Sequence, residues 1–267
     1  DLQEHYGNNV FPMTLPIDPG PGFHRLLDVL RSEEIEYKTD GLGKYTENPA
    51  EGELLDKVKE LHSQLVEYVA EADDTLLEQF FEEGNLSEEE LRSGIHQTIQ
   101  GGLFVPAFAT SALTDVGIAR FMDMIAKYGS SPIDRKQVSV EDNGTKDGTI
   151  SLDDSDPACY IWKTISEPHV GELSFCRMYS GKITPGIELY NPNRSCTEKI
   201  GQIFSLQGHE RNAVKSIGPG DIGVMAKLRD THTGNTLTSP NRKIKLPKVV
   251  YPKPNIRATL IVKKRGD

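Results

Sequence analysis

Apolar positions recur at spacings of three and four over residues 50–100, and in short runs broken by turn residues over 157–247, so the chain is expected to pass from helix-rich to strand-rich along its length. Over residues 50–72, Leu54, Val58, Leu61, Leu65 and Val69 fall on one helical face, with Glu and Lys on the other. Asp73-Asp74 can cap a second helix, whose face is Leu76, Leu77, Phe80 and Phe81 and which Gly84 ends. Ser87 and Glu90 form the S-x-x-E capping box of a third helix, with Leu91, Ile95 and Ile99 inside and Gly101-Gly102 as the stop. A fourth helix is expected over about 116–127, with Ile118, Phe121, Met122 and Ile125 facing in. Ahead of the helices, residues 10–17 (VFPMTLPI) read as a strand feeding a loop, and Ile35-Glu36-Tyr37 with Tyr45 as a hairpin. The continuous apolar run at 103–109 (LFVPAFA) reads as a strand buried in a sheet with helices.

Residues 134–156 (with VEDNGTKDGTISLDDSD) are polar, charged and Gly-containing, and read as a linker between domains. Beyond them, 157–247 holds four or five short β-type runs separated by Gly-Lys, Pro-Gly and Gly-Asn signals, the pattern of a small antiparallel barrel. A last apolar run, 256–262, ends in Lys263-Lys264-Arg265 and reads as the first strand of a further domain.

Charge sharpens this division. Residues 157–267 carry 18 basic and 8 acidic side chains, while residues 1–156 carry 12 and 32, within an overall net charge of −10. A basic barrel suits a phosphate backbone, whereas an acidic helical part would be repelled by nucleic acid and suits solvent or a basic protein. No run approaches the roughly 18 apolar residues of a membrane helix, and no basic-then-apolar leader opens the chain. A cytoplasmic, monomeric protein without membrane or DNA partners is expected. Cys159, Cys176 and Cys196 lack zinc spacing and read as buried reduced thiols. The seven histidines are scattered without HExxH, and Ser111 and Ser180 lack a GxSxG frame, so neither a metal site nor a hydrolase triad is expected.

The ordered motifs of the barrel resemble the second domain of elongation factor G, a translational GTPase. They are Glu167-Pro168-His169-Val170-Gly171, Arg177-Met178-Tyr179-Ser180-Gly181, Gly220-Asp221-Ile222 and Asp230-Thr231-His232-Thr233-Gly234-Asn235-Thr236-Leu237, over about 80 residues. The N-terminal text is similar to the same family: Gly7-Asn8-Asn9-Val10 through Pro16-Ile17, FHRLLDVL at 23–30, the acidic helices at 50–100 and FVPAFATSALTDVGI at 104–118. The resemblance implies an internal fragment of a multi-domain α/β plus β protein. Residues 1–133 would be the end of a G domain with an α+β, largely helical insert at about 20–101. A linker (134–156), a Greek-key β-barrel (157–247) and the start of a third domain (248–267) would follow.

The parent family moves tRNA and mRNA through the ribosome, using GTP and magnesium. The resemblance implies that the barrel meets small-subunit ribosomal RNA and that the acidic insert meets the ribosomal stalk protein. Here no G-x-x-x-x-G-K-[ST], DxxGH or NKxD segment occurs, so no catalytic residue, bound cofactor or GTPase activity is expected of these residues. One nucleotide-contact element corresponds: Ser111, Ala112 and Leu113 stand where the family contacts guanine. Thr114 replaces the family's usual Lys. Arg177, Lys182, Arg211 and Arg229 are the candidate RNA contacts on the barrel, with Gly171, Gly181 and Gly220 allowing close approach. Two alternatives stay open: a ribosomal protection or release-type paralogue, and a non-ribosomal module that binds another polyanion.

Overall fold

The computed structural model describes residues 2–7, 9–135, 137–142, 144–167, 171–208, 210–259 and 261, the side chains of 146 and 147 excepted. The chain forms two compact units, Asp1–Ser130 and Ser131–Asp267. Its class is mixed α/β with a large antiparallel sheet.

The first unit runs α1 (Leu2–Tyr6), β1 (Val10–Pro12), β2 (Thr14–Ile17), β3 (Arg25–Asp28), β4 (Glu33–Tyr37), β5 (Tyr45–Pro49), α2 (Gly52–Ala70), α3 (Asp74–Glu83), α4 (Glu88–Gln100), β6 (Val105–Ala107) and α5 (Ile118–Tyr128). β1 and β6 pair in parallel, and β2 to β5 form an antiparallel sheet in chain order. The residues expected to form the insert, about 20–101, therefore supply three of the four strands of this sheet as well as helices α2 to α4, and β2 precedes them. The expected caps are present. Asp73 accepts from the Thr75 and Leu76 amides at 2.9 and 3.2 Å. Ser87 and Glu90 exchange the two bonds of a capping box. Gly84 ends α3 at φ +71°. Val58, Leu65, Val66 and Val69 of α2 turn inward, and α4 packs so close that a Cβ on Gly94 would lie 2.3 Å from Val69 Cγ1. The core joins Phe11, Met13, Leu65, Val69, Leu91, Ile95, Phe104 and Met124.

α5 departs from expectation. Its buried face is Arg120, Met124 and Tyr128, while Met122 and Ile125 are exposed and Phe121 packs edge-on against Phe108 at 5.2 Å. The reason is electrostatic: Arg120 Nε donates to Asp28 Oδ2 at 2.5 Å, and both side chains are nearly excluded from water. That pair fixes the rotation of the helix about its axis. Phe81 is also exposed, on the outer side of α3.

The second unit opens with a short 3₁₀ turn (Pro132–Asp134) and then β7 (Val138–Asp142) and β8 (Thr145–Ile150). The expected linker over 134–156 is thus an antiparallel hairpin, joined by β17 (Ile244–Lys245) into a three-stranded sheet. Val140 and Ile150 bury on it with Ala158, Tyr160, Ile244 and Leu246. Strand period two was present in Val138, Val140 and Ile150, and the many charges around it masked the signal. Arg242 pins the hairpin, donating to Asp154 Oδ2 at 2.8 Å and to the Thr149 carbonyl at 2.9 Å. This guanidinium holds the Asp154 carboxyl below its ordinary range.

The barrel comprises β9 (Ala158–Glu167), β10 (Gly171–Ser180), β11 (Glu188–Asn191), β12 (Cys196–Lys199), β13 (Ile203–Gln207), β14 (Glu210–Ala213), β15 (Ile222–Ala226) and β16 (Thr236–Thr238). They form one antiparallel sheet in the order β12-β11-β16-β9-β10-β15-β13-β14, wrapped around Cys159, Ile161, Cys176, Met178, Ile183, Leu189, Ile200, Ile203, Met225 and Leu237. Gly181, at φ +60°, sits where a Cβ would lie 2.4 Å from the Pro157 nitrogen, so only glycine fits there. A buried carboxylate organises the loop before β16. Glu198 accepts from the Arg229 amide (3.0 Å), the Asp230 amide (2.8 Å) and the Thr231 hydroxyl (2.8 Å). Asn191 supports the same loop by donating to Thr231 Oγ1 and Asn235 Oδ1.

Of the strand expected at 256–262, the described residues 256–259 and 261 have no regular structure, and Ile256 and Ile261 are exposed; residues 260 and 262 lie outside the described residues. A strand needs a neighbour for its N–H and C=O groups, and none pairs with this segment among the described residues. The expectation that 248–267 begins a third domain finds no folded element at 248–259. Lys263-Lys264-Arg265, and Pro168-His169-Val170 of the barrel motif, lie outside the described residues.

Candidate nucleic-acid interface

Alternation along β10 sorts its side chains. Ser174, Cys176, Met178 and Ser180 are buried, while Phe175, Arg177 and Tyr179 are half-buried on the opposite, outer face. β9 places Lys163 opposite Phe175 and Ile161 opposite Cys176, so Trp162 is the extra residue of a β-bulge. β15 brings Val224 opposite Phe175 and Ile222 opposite Arg177. The outer face thus carries a stripe of Trp162, Lys163, Phe175, Arg177 and Tyr179. Its floor is the apolar cluster Leu173, Val224 and Ala226, flanked by Ile165, Phe204 and Leu206.

Trp162 is 40% exposed, and its ring lies 5.4 Å from that of Phe175, tilted by 59°. Lys163 Nζ stands 5.7 Å from the Phe175 ring centre, and the Arg177 guanidinium 6.0 Å from that of Tyr179. Such cation–ring contacts hold the charged groups at the surface while leaving their N–H groups free for an anion. Beyond Tyr179, Arg177 and Arg135 line a cleft of about 200 Å³ with Pro132, Leu152 and Tyr179. Among the described residues Lys163, Arg135 and Arg177 make no ion pair. The face can therefore take phosphate oxygens on its cations and planar groups on its rings.

The four expected RNA contacts stand on separate elements of the barrel. Arg177 lies at the centre of the stripe. Arg211, on β14, forms an ion pair with Glu167 at 3.0 Å. Arg229 is exposed in the loop after β15, its amide committed to Glu198. Lys182 is exposed just beyond β10. Arg135 and the aromatic members Trp162, Phe175 and Tyr179 were missed. The signal was the odd-numbered register 175, 177, 179, which puts two rings and a guanidinium on one side of one strand.

Ser111, Ala112 and Leu113 form the turn between β6 and α5. The Ser111 amide donates to the Val116 carbonyl at 2.9 Å, and the Thr114 hydroxyl donates to Ser111 Oγ at 2.8 Å. Leu113 is almost fully exposed. The turn thus commits the Ser111 amide to itself, and Ser111 Oγ serves as an acceptor within it. Among the described residues no three His, Cys, Asp or Glu side chains come together as metal ligands. No helix is long and apolar enough to cross a membrane among the described residues. Cys159 and Cys176 are buried in the barrel, and their mutual hydrogen bond, then burial, push the Cys159 thiol well above its ordinary range. Cys196 is only half-buried.

Residues 156–240 match the family model described as elongation factor G domain 2. This segment is the antiparallel barrel and includes the whole stripe, while Arg135 of the adjoining cleft lies outside it. The fold as a whole is similar to a crystal structure of a protein from Thermus thermophilus, with a TM-score of 0.76 and 22% sequence identity. The match covers 96% of this chain and 36% of that one, so the chain spans about a third of the length of the solved structure it resembles.

Proposed function

We propose that this chain is part of a translation factor of the elongation factor G kind, and that the outer face of its barrel rests on the phosphate backbone of small-subunit ribosomal RNA. The observation that carries the reading is the coincidence of two features in one segment. Residues 156–240 match the second domain of that factor, and the same residues present Lys163 and Arg177, to which no carboxylate is paired among the described residues. In this reading the parent is a translocase that moves tRNA and mRNA, works in the cytoplasm and uses GTP. The acidic helices α2 to α4 face the ribosomal stalk protein.

The nucleotide chemistry belongs to the parent rather than to these residues. Bound GTP and magnesium would supply the energy of a conformational cycle, yet the one corresponding element is the turn at Ser111–Leu113. Its Ser111 amide is already bonded to Val116, and no G-x-x-x-x-G-K-[ST] occurs in the sequence. With that amide committed, the turn is held to be too small a contact to retain a nucleotide by itself, and these residues are held to supply no hydrolysis.

The test is charge reversal on the face. Arg135→Glu, Lys163→Glu and Arg177→Glu together are expected to weaken binding to isolated small ribosomal subunits at least 10-fold. The slope of log affinity against log salt should flatten by roughly 0.7–0.9 for each phosphate that is no longer neutralised. Reversal of Arg211, already paired with Glu167, should cost less. Unchanged affinity and slope in the triple variant would remove the RNA-facing role of this stripe.

A further inference from the structure

We infer that the barrel face holds a single unpaired RNA base against Trp162, with the adjoining phosphate gripped by Arg177 and Arg135. This rests on the reading of the face as an RNA surface and adds that part of the target is single-stranded. Backbone contact alone needs cations. It gives no reason to place a large indole, 40% exposed, at the first of the two register shifts between β9 and β10. Leaving a tryptophan half in water costs apolar burial, and a bulge re-aims the side chain it carries. Here it aims the ring beside Phe175 at 5.4 Å, with Lys163 Nζ 5.7 Å from the centre of the Phe175 ring. The two rings are tilted by 59° rather than stacked on each other, and the indole keeps 40% of its surface exposed.

The spacing fits one nucleotide. Phe175 and Arg177 are successive outward residues of a strand, so they stand about 6.8 Å apart along it. A base on the Trp162–Phe175 pair thus has its own phosphate within reach of the Arg177 guanidinium, at the mouth of the cleft shared with Arg135 and Tyr179. Charge selects the occupant: residues 157–267 carry 18 basic against 8 acidic side chains, which favours a polyanion over an apolar protein surface. Stacking is tolerant of base identity because every base has a π-face, so no sequence preference is expected. Base-paired RNA offers no free face and would use only the cations.

Trp162 is the only tryptophan of the chain, so its intrinsic fluorescence reads the contact without a label. Titrating the full chain with a single-stranded uridine oligonucleotide should quench the emission. A duplex RNA of equal length should bind with little quenching. Measured with a labelled oligonucleotide, Trp162→Ala should weaken single-strand binding about 5- to 100-fold. Trp162→Phe should restore most of it, and both variants should bind duplex as the parent chain does. The inference is overturned if single-stranded RNA binds without quenching, or if Trp162→Ala binds it unchanged. It is equally overturned if the emission shifts with protein concentration alone, which would mean that a second copy covers the ring. The outcomes separate from those of the backbone reading. Weakened subunit binding on charge reversal, with Trp162→Ala silent, would retain the RNA face and remove the base. Charge reversal without effect would remove both.

Discussion

Arg120→Met is expected to destabilise the first unit by about 3–5 kcal/mol, because it leaves the Asp28 carboxylate buried without its counter-ion. Asp28 is 2% exposed and Arg120 3%, and the bond between them spans 92 positions of sequence, from the end of β3 to α5. The methylene stem of methionine would fill much of the space, so a cavity contributes little and the penalty is electrostatic. Adding Asp28→Asn should recover much of it: the amide carries no charge and can still accept the Arg31 N–H that now reaches Asp28 Oδ1 at 3.0 Å. Among the described residues every α-helix lies in this unit, so far-ultraviolet circular dichroism in a denaturant titration reads the effect. A double variant no more stable than Arg120→Met would show that burial of the charge is not what costs.

The second large effect is expected at Glu198. Glu198→Ala strands the amides of Arg229 and Asp230 and the hydroxyl of Thr231, all of which now donate to one buried carboxylate. Charge-assisted bonds of this kind contribute more than neutral ones, and a buried donor left unmade costs about 1–3 kcal/mol. Allowing for water entering the vacated space, a total of about 3 kcal/mol is expected. Glu198→Gln, which keeps one acceptor oxygen, should cost roughly half as much. Trp162 lies on the same sheet, and its fluorescence reports the transition. Since Glu198 shapes the loop that carries Arg229 and Asp230, hydrogen exchange at their amides should rise in the Ala variant even where the protein stays folded. Exchange unchanged at those two amides would mean that the loop is held by Asn191 and the Arg194–Asp230 pair alone.

Elements whose signals are local were legible in the sequence. Asp73, Ser87 with Glu90, and Gly84 act within one helical turn, and each cap formed as read. The strand text of the barrel was legible because apolar and polar residues alternate between turn residues over the whole segment. Three features were not. The inward face of α5 was misjudged because Arg120 looks like a surface residue until Asp28, 92 positions away, is seen opposite it. The hairpin at 138–150 was hidden by its charges, since the strand signal there rests on only three apolar side chains. The candidate face was half read: Arg177 was noticed and Arg135 was not, and the bulge at Trp162 depends on the register of two strands, which no local pattern reveals. Arg211 and Arg177 look alike in sequence, and only the contact with Glu167 separates a compensated charge from a free one.

The barrel is proposed to occupy the position on the small ribosomal subunit that the second domain of elongation factor G uses. Co-sedimentation of the full chain with purified small subunits, with and without excess intact elongation factor G and at two salt concentrations, tests it most directly. The account predicts binding that salt weakens and that the intact factor displaces. Binding that the factor leaves in place would contradict it, and would assign the cationic face to a different polyanion.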